Sequence, residues 1–230
     1  MIFPVGTVVC AAAIAVGALI GSALGERVKD ETKDTLSNIF GLCSILIGLV
    51  SIPFLKNLPV VVLAVIVGTL IGRAIRLGDG VKNGLRKMTR GSISEDFLTI
   101  AVLFCVSGGG YYGAMVEGVT GDHSILLAKA VLEFFTSMIF ACKMKGKVAL
   151  LSIPQLVVHL VIFFIAAWIF PLCSADMIAD FKACGGLLTI AAGFRLLHLT
   201  MFPTADMIPG LVIVLPLSWA WGTWLMPLLG

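Results

Sequence analysis

The sequence predicts an all-α fold, a polytopic membrane bundle of about eight transmembrane helices, and three observations predict it. The 230-residue chain is 59% hydrophobic and only 13% charged, with a mean hydropathy of +1.09, too apolar to cover a water-facing surface. Apolar stretches of about 20 residues, the length that a roughly 30 Å hydrocarbon core demands of a helix, follow one another almost without gaps. They are uniformly apolar rather than alternating, which selects helices over a β-barrel.

The first span, about residues 3–25, lacks a basic leader and is too long for a signal-peptide core, so it reads as retained. Gly17, Gly21 and Gly25 recur every fourth residue along it. Such a stripe lets helix backbones approach closely where lipid supplies no hydrophobic drive. The second span covers about 35–55. The third, about 58–76, opens at Pro59 and repeats the glycine spacing at Gly68 and Gly72. These faces suit packing within the chain first and a homo-oligomer second. The connection over 77–96 carries Lys82, Arg86, Lys87 and Arg90. It reads either as a solvated loop or as a short basic helix lying on anionic lipid, and so small a patch argues against nucleic acid as a partner. The remaining spans are about 97–115, 123–142, 148–171, 184–201 and 207–229.

Charge supports this count. Of the sixteen Lys and Arg residues, thirteen fall on the first, third, fifth and seventh connections, among them Arg27, Arg73, Arg76 and Lys143. Only Lys56 and Lys182 fall on the opposite side, and Lys129 lies within a span. The positive-inside rule then places both termini on the outer side of a bacterial cytoplasmic (inner) membrane. Trp168, Trp219, Trp221, Trp224, Tyr111 and Tyr112 fall toward outer span ends, as an interfacial belt would. The six cysteines show no CxxC spacing and read as small buried hydrophobes rather than a metal site or a disulfide frame.

An internal repeat is legible. Gly41-Leu42-Cys43-Ser44 through Gly48-Leu49 in span two matches Gly186-Leu187-Leu188-Thr189 through Gly193-Phe194 in span seven. Each is followed by an apolar-Pro pair, Leu58-Pro59 and Ile208-Pro209. Residues 1–77 and 148–230 then form three-helix repeats around a central pair at 96–143, within a single integral membrane domain. An offset of five spans inverts the second copy, an arrangement recurrent in secondary transporters.

The candidate site lies in and beside that central pair. Gly108, Gly109 and Gly110 weaken a helix by about 1 kcal/mol each relative to alanine, which predicts a break near the outer end of span four, the alternative being a glycine-rich helix face that packs tightly without breaking. Glu117, Thr120 and Asp122 follow as loop and capping residues that also suit a cation-attracting outer mouth, with Asp122 as N-cap of span five. Lys129 and Glu133 lie one turn apart within span five, and Gln155 and His159 one turn apart within span six. Charges inside a bilayer cost about 2.5–3.5 kcal/mol each on insertion scales, so they mark a pathway or a proton relay. Antiparallel spans set Glu133 level with His159, with Lys129 further out and Gln155 further in. No HExxH, GxSxG or P-loop is present, and no carboxylate–histidine cluster suits a metal, so neither an enzyme nor a cofactor is expected.

The order of these residues resembles a known family. Phe104-Cys105-Val106, Gly113, Glu117-Gly118-Val119-Thr120-Gly121-Asp122, Leu127, Lys129, Glu133, Phe140-Ala141, Pro154 and Gln155 are similar to the core of the YdfK/YqgA family of bacterial multi-pass membrane proteins, domain of unknown function 554. Gly6-Thr7, Gly185-Gly186-Leu187 and Met207-Ile208-Pro209 extend the likeness over the chain. The resemblance implies functional or architectural weight at Gly118, Thr120, Gly121, Asp122, Lys129, Glu133 and Gln155. Glu133 stands where the family pattern has aspartate, Cys10 and Arg195 where it has asparagine, and the glycine run replaces a less glycine-rich stretch. The family supplies no activity. The leading expectation is a secondary transporter or channel for a small solute or ion, and the alternative is a non-transporting scaffold or regulatory subunit.

Overall fold

A computed structural model of the chain describes residues 3–25, 29–89, 95–106 and 108–226. Arg27, Arg90, Ser107 and the last residues of the eighth predicted span lie outside them. Ten α-helices run through the described residues and no strand does. They are α1 (Val5–Leu24), α2 (Asp30–Ser51), α3 (Leu58–Ala74), α4 (Leu77–Thr89), α5 (Glu95–Val106), α6 (Gly108–Thr120), α7 (Ser124–Met144), α8 (Ser152–Ile169), α9 (Ala175–Leu196) and α10 (Pro209–Ala220).

Four helical stretches are long and apolar enough to cross a membrane: Val5–Leu24, Asp34–Phe54, Ser124–Ile169 and Ala175–Leu196. A fifth arises if Leu58–Ala74 and Leu77–Lys87, bent by 56°, count as one. The 46-residue stretch from Ser124 would be more than twice as long as a bilayer core is thick if it were straight. It is not straight. Gln155 of α8 donates to Glu133 of α7 at 3.0 and 3.2 Å, so the chain doubles back between them. The reversal sits at Lys145, whose φ of 57° ends α7, and continues through a 3₁₀ segment at Lys145–Leu151. Among these candidate spans α9 is the most enclosed, with two thirds of its apolar window buried where the others reach at most 39%.

Backbone-to-backbone packing defines the directions. A Cβ on Gly17 would stand 2.3 Å from the Phe134 carbonyl oxygen, and one on Gly21 only 1.9 Å from that of Met138. Gly6 meets Leu126 at the other end, so α1 and α7 run parallel. α2 and α9 run antiparallel and meet reciprocally: a Cβ on Gly48 would lie 2.6 Å from the Gly186 oxygen, and one on Gly186 2.6 Å from the Gly48 oxygen. Gly41 and Gly193 repeat this, at 3.1 and 2.8 Å. Gly68 and Gly72 of α3 close on Gly210 and Asp206, again antiparallel. Gly17, Gly21, Gly68 and Gly72, offered by sequence to a second copy, are therefore occupied within the chain, while a Cβ on Gly25, which ends α1, would meet nothing within 4 Å. Gly21→Leu is expected to force α1 from α7 at a cost of about 1–3 kcal/mol or more, read as a lower unfolding temperature in detergent.

Packing decides three of the expectations. The triple glycine does not unwind: Gly108–Gly110 are helical, at the start of α6. Helix propensity is a weak prior, overridden here by the close contacts that bare glycine backbone permits. Tyr111 and Tyr112 are buried rather than interfacial, whereas Trp168, Trp219 and Trp224 are exposed. Of the two readings of the 77–96 connection the helical one holds, and α4 buries Leu85 in the same core as Phe97 and Ile100 while Arg86 and Lys87 stay exposed.

Candidate functional site

Lys129 and Glu133 project from one face of α7 and are both buried. The Lys129 ammonium donates to Glu133 Oε1, an i,i+4 ion pair. Gln155 Nε2 donates to both carboxylate oxygens. Because an ionised carboxylate only accepts, the amide must turn its nitrogen toward Glu133, which points Gln155 Oε1 elsewhere. That oxygen is buried without a hydrogen-bond partner among the described residues, and so are both ring nitrogens of His159. His159 packs edge-on against Tyr111 at 6.5 Å between ring centroids.

The glycines of α6 make room for this cluster. A Cβ on Gly110 would lie 2.6 Å from His159 Nε2 and 2.8 Å from Lys129 Cε, so no side chain fits there. One on Gly109 would stand 3.4 Å from Thr189 Oγ1. Beside them is a cavity of about 30 Å³, lined by Ser44, Gly109, Lys129, Glu133, Thr136 and Thr189 among others. It has room for about one water-sized occupant.

The pairing of levels differs from expectation by one turn. Gln155 faces Glu133, and His159 comes with Lys129 to Gly110. The chain reverses sharply at Lys145 and returns at once as a 3₁₀ helix, without the loop expected over 143–147. With the reversal there, Gln155 rather than His159 comes opposite Glu133.

The remaining predicted residues separate from the cluster. Glu117 is not in a loop. It is fully buried within α6, where its carboxylate accepts from the Gly6 and Thr7 amides and from Thr7 Oγ1 at 2.9 Å. His123 Nδ1 lies 3.1 Å away. Glu117 thus caps the N-terminus of α1, where exposed amides and the helix dipole favour a negative charge. Thr120 and Asp122 are exposed. Thr120 Oγ1 donates to the Val116 carbonyl at 2.8 Å. Asp122 accepts from the Ser124 amide at 2.9 Å and from its hydroxyl, bonds that hold its carboxyl below the ordinary aspartate value. It is a capping group one position before the helix N-cap, His123.

Sequence reasoning missed four contributors, the first being Thr136, buried on α7 beside Glu133. Ser44 and Thr189 line the cavity from α2 and α9, and the signal was present as matching hydroxyls in the two repeat segments. Asp180 is fully buried and accepts from the amides of Lys56 and Asn57 at 3.1 and 2.8 Å and from Ser218 Oγ at 2.7 Å. Starting the seventh span at 184 placed it in a loop, whereas α9 begins at Ala175.

Comparison with known proteins was consistent over the whole chain. The family described as Protein of unknown function (DUF554) matches residues 5–219. The uncharacterized protein YqgA of Escherichia coli strain K12 is 41% identical over 96% of this chain and 98% of its own length. The uncharacterized membrane protein YdfK of Bacillus subtilis strain 168 is 24% identical over 90% of this chain and 93% of its own. No solved structure matches the chain.

Proposed function

The chain belongs to the DUF554 family of proteins of unknown function, and we propose that this membrane protein is a secondary transporter or channel for a small solute or ion. One observation carries the reading. Deep in the bundle, a Lys129–Glu133–Gln155 network adjoins a water-sized cavity, and beside it Gln155 Oε1 and both His159 nitrogens are buried without partners. Leaving a buried acceptor or donor unpaired costs about 1–3 kcal/mol, so these atoms suit a ligand that supplies the missing bonds. The cavity size favours a water-sized ion or solute.

The proposal includes eight crossings, with both termini on the outer side of the bacterial cytoplasmic membrane. Inverted repeats fit it. If Gly41 corresponds to Gly186 and Gly48 to Gly193, a two-fold axis that brings Gly48 to Gly186 must also bring Gly193 to Gly41. Both contacts occur. Ser44 and Thr189, equivalent under the same register, reach one cavity. The packing directions agree: α2 with α9 and α3 with α10 antiparallel, α1 with α7 parallel. Midplane sites between inverted halves are the usual arrangement of such carriers.

The test is thermal unfolding of purified protein across a panel of inorganic ions and small metabolites at several pH values. Anything that binds the folded state raises its stability by mass action. A stabilising compound whose effect disappears in Lys129→Met or Glu133→Gln, and which then crosses proteoliposomes, supports transport. A panel without any shift, together with protein partners retained through purification, would turn the reading toward a scaffold.

A further inference from the structure

A second site stands apart from the central cluster, where α3 and α9 end and α4 begins. Arg76, with φ of 53°, turns the chain between α3 and α4 and sets the two helices at 56°. The bend helps to frame a cavity of about 370 Å³, within the usual range of small-molecule pockets, about 300–1,000 Å³. Arg73, Arg76, Lys82 and Arg195 line it against two carboxylates, Asp79 and Asp206. Asp206 is already engaged, accepting from the Gly78 amide at 2.8 Å. Among the described residues Arg73, Arg76 and Lys82 form no ion pair. The cavity wall also carries Thr204, 3% exposed, whose hydroxyl is buried without a partner.

Basic residues at helix ends are ordinary in membrane proteins and would alone mean little. Four of them around a cavity of ligand size, together with an unpaired buried hydroxyl, amount to more. Phosphate oxygens accept forked bonds from guanidinium groups and point-charge bonds from lysine, and a hydroxyl adds one neutral donor. Arg195 Nη1 holds the Phe202 carbonyl at 3.0 Å, and the Thr204 amide bonds that same oxygen at 2.8 Å. The segment bearing Thr204 is therefore fixed over the cavity.

We propose that this cavity binds a phosphate group, carried either by an anionic lipid headgroup or by a soluble phosphate compound. The test uses the full chain in neutral detergent, stripped of lipid. Inorganic phosphate is one probe, with sodium chloride at matched ionic strength as control. The other is phosphatidylglycerol against phosphatidylcholine in nanodiscs, with bound lipid counted by native mass spectrometry. Stabilisation by phosphate, selective retention of phosphatidylglycerol, or both would support the site and identify its source. Arg76→Gln/Lys82→Gln, changes at side chains that are at least partly exposed, are expected to weaken either effect at least ten-fold while leaving the fold intact. Thr204→Val removes an unpaired hydroxyl, so the unliganded protein should be no less stable while the response to phosphate falls. Neither probe acting above its control, or an equal response in the double variant, would overturn the proposal.

Discussion

Glu133→Leu alone is expected to destabilise the protein by about 3–5 kcal/mol, the cost of leaving a buried charge without its partner. The charge left behind is Lys129, 6% exposed, whose ammonium donates to Glu133. Lys129→Met combined with Glu133→Leu should recover most of the loss, because a buried pair can often be exchanged for apolar residues of similar volume at little cost. A residual deficit of about 1–3 kcal/mol is expected, since Gln155 Nε2 loses both carboxylate acceptors. Equilibrium unfolding of wild type, both single variants and the double variant closes the cycle and isolates the coupling. If the double variant is no more stable than Glu133→Leu, the stranded Lys129 charge is not what makes the single change costly. The same proteins separate structure from transport. A double variant that folds but no longer responds to the stabilising ion or solute places the charges in the ligand's path. One that folds and responds like wild type makes them internal glue.

The parts of this molecule legible in sequence are those set by short-range pattern. Apolar runs located α1, α2, α3, α7 and α8 to within a few residues, because twenty apolar residues have few alternatives to a helix. The i,i+4 spacing of Lys129 and Glu133 needed only helical periodicity. Gln155 was named as their neighbour, but its level was off by a turn, because hairpin register depends on where the chain reverses, here at Lys145. The glycine run was misjudged for a related reason: intrinsic propensity is local, whereas the contacts of Gly110 with His159 and Lys129 are not. Least legible were the carboxylates. Glu117, Asp180 and Asp206 accept backbone amides at the starts of α1, α3 and α4, more than a hundred residues away in sequence. In a hydropathy trace such residues look like loop signals. Their role depends on which helix end the fold brings to them, and no local pattern carries that.

Glu117→Leu should be the most damaging change outside the central cluster. It would strand the amides of Gly6 and Thr7 and the Thr7 hydroxyl, three buried donors that now share one carboxylate. At about 1–3 kcal/mol for each unsatisfied buried group, the expected loss is several kcal/mol, larger than for any exposed cap. Relaxation is blocked on one side, since a Cβ on Gly6 would already lie 2.8 Å from that of Leu126, so α1 and α7 have no slack there. Glu117→Gln is the informative companion. Its amide oxygen can serve one cluster of donors while its NH₂ faces the other, so an intermediate loss is expected. The residue was also a candidate for a cation-attracting mouth, and the two roles predict different results. As a helix cap, Glu117→Gln lowers the unfolding temperature but leaves unchanged the increment produced by a stabilising ion. As a mouth ligand it would shrink that increment even where the fold survives. The complete burial of the carboxylate and its bonds to α1 favour the first outcome.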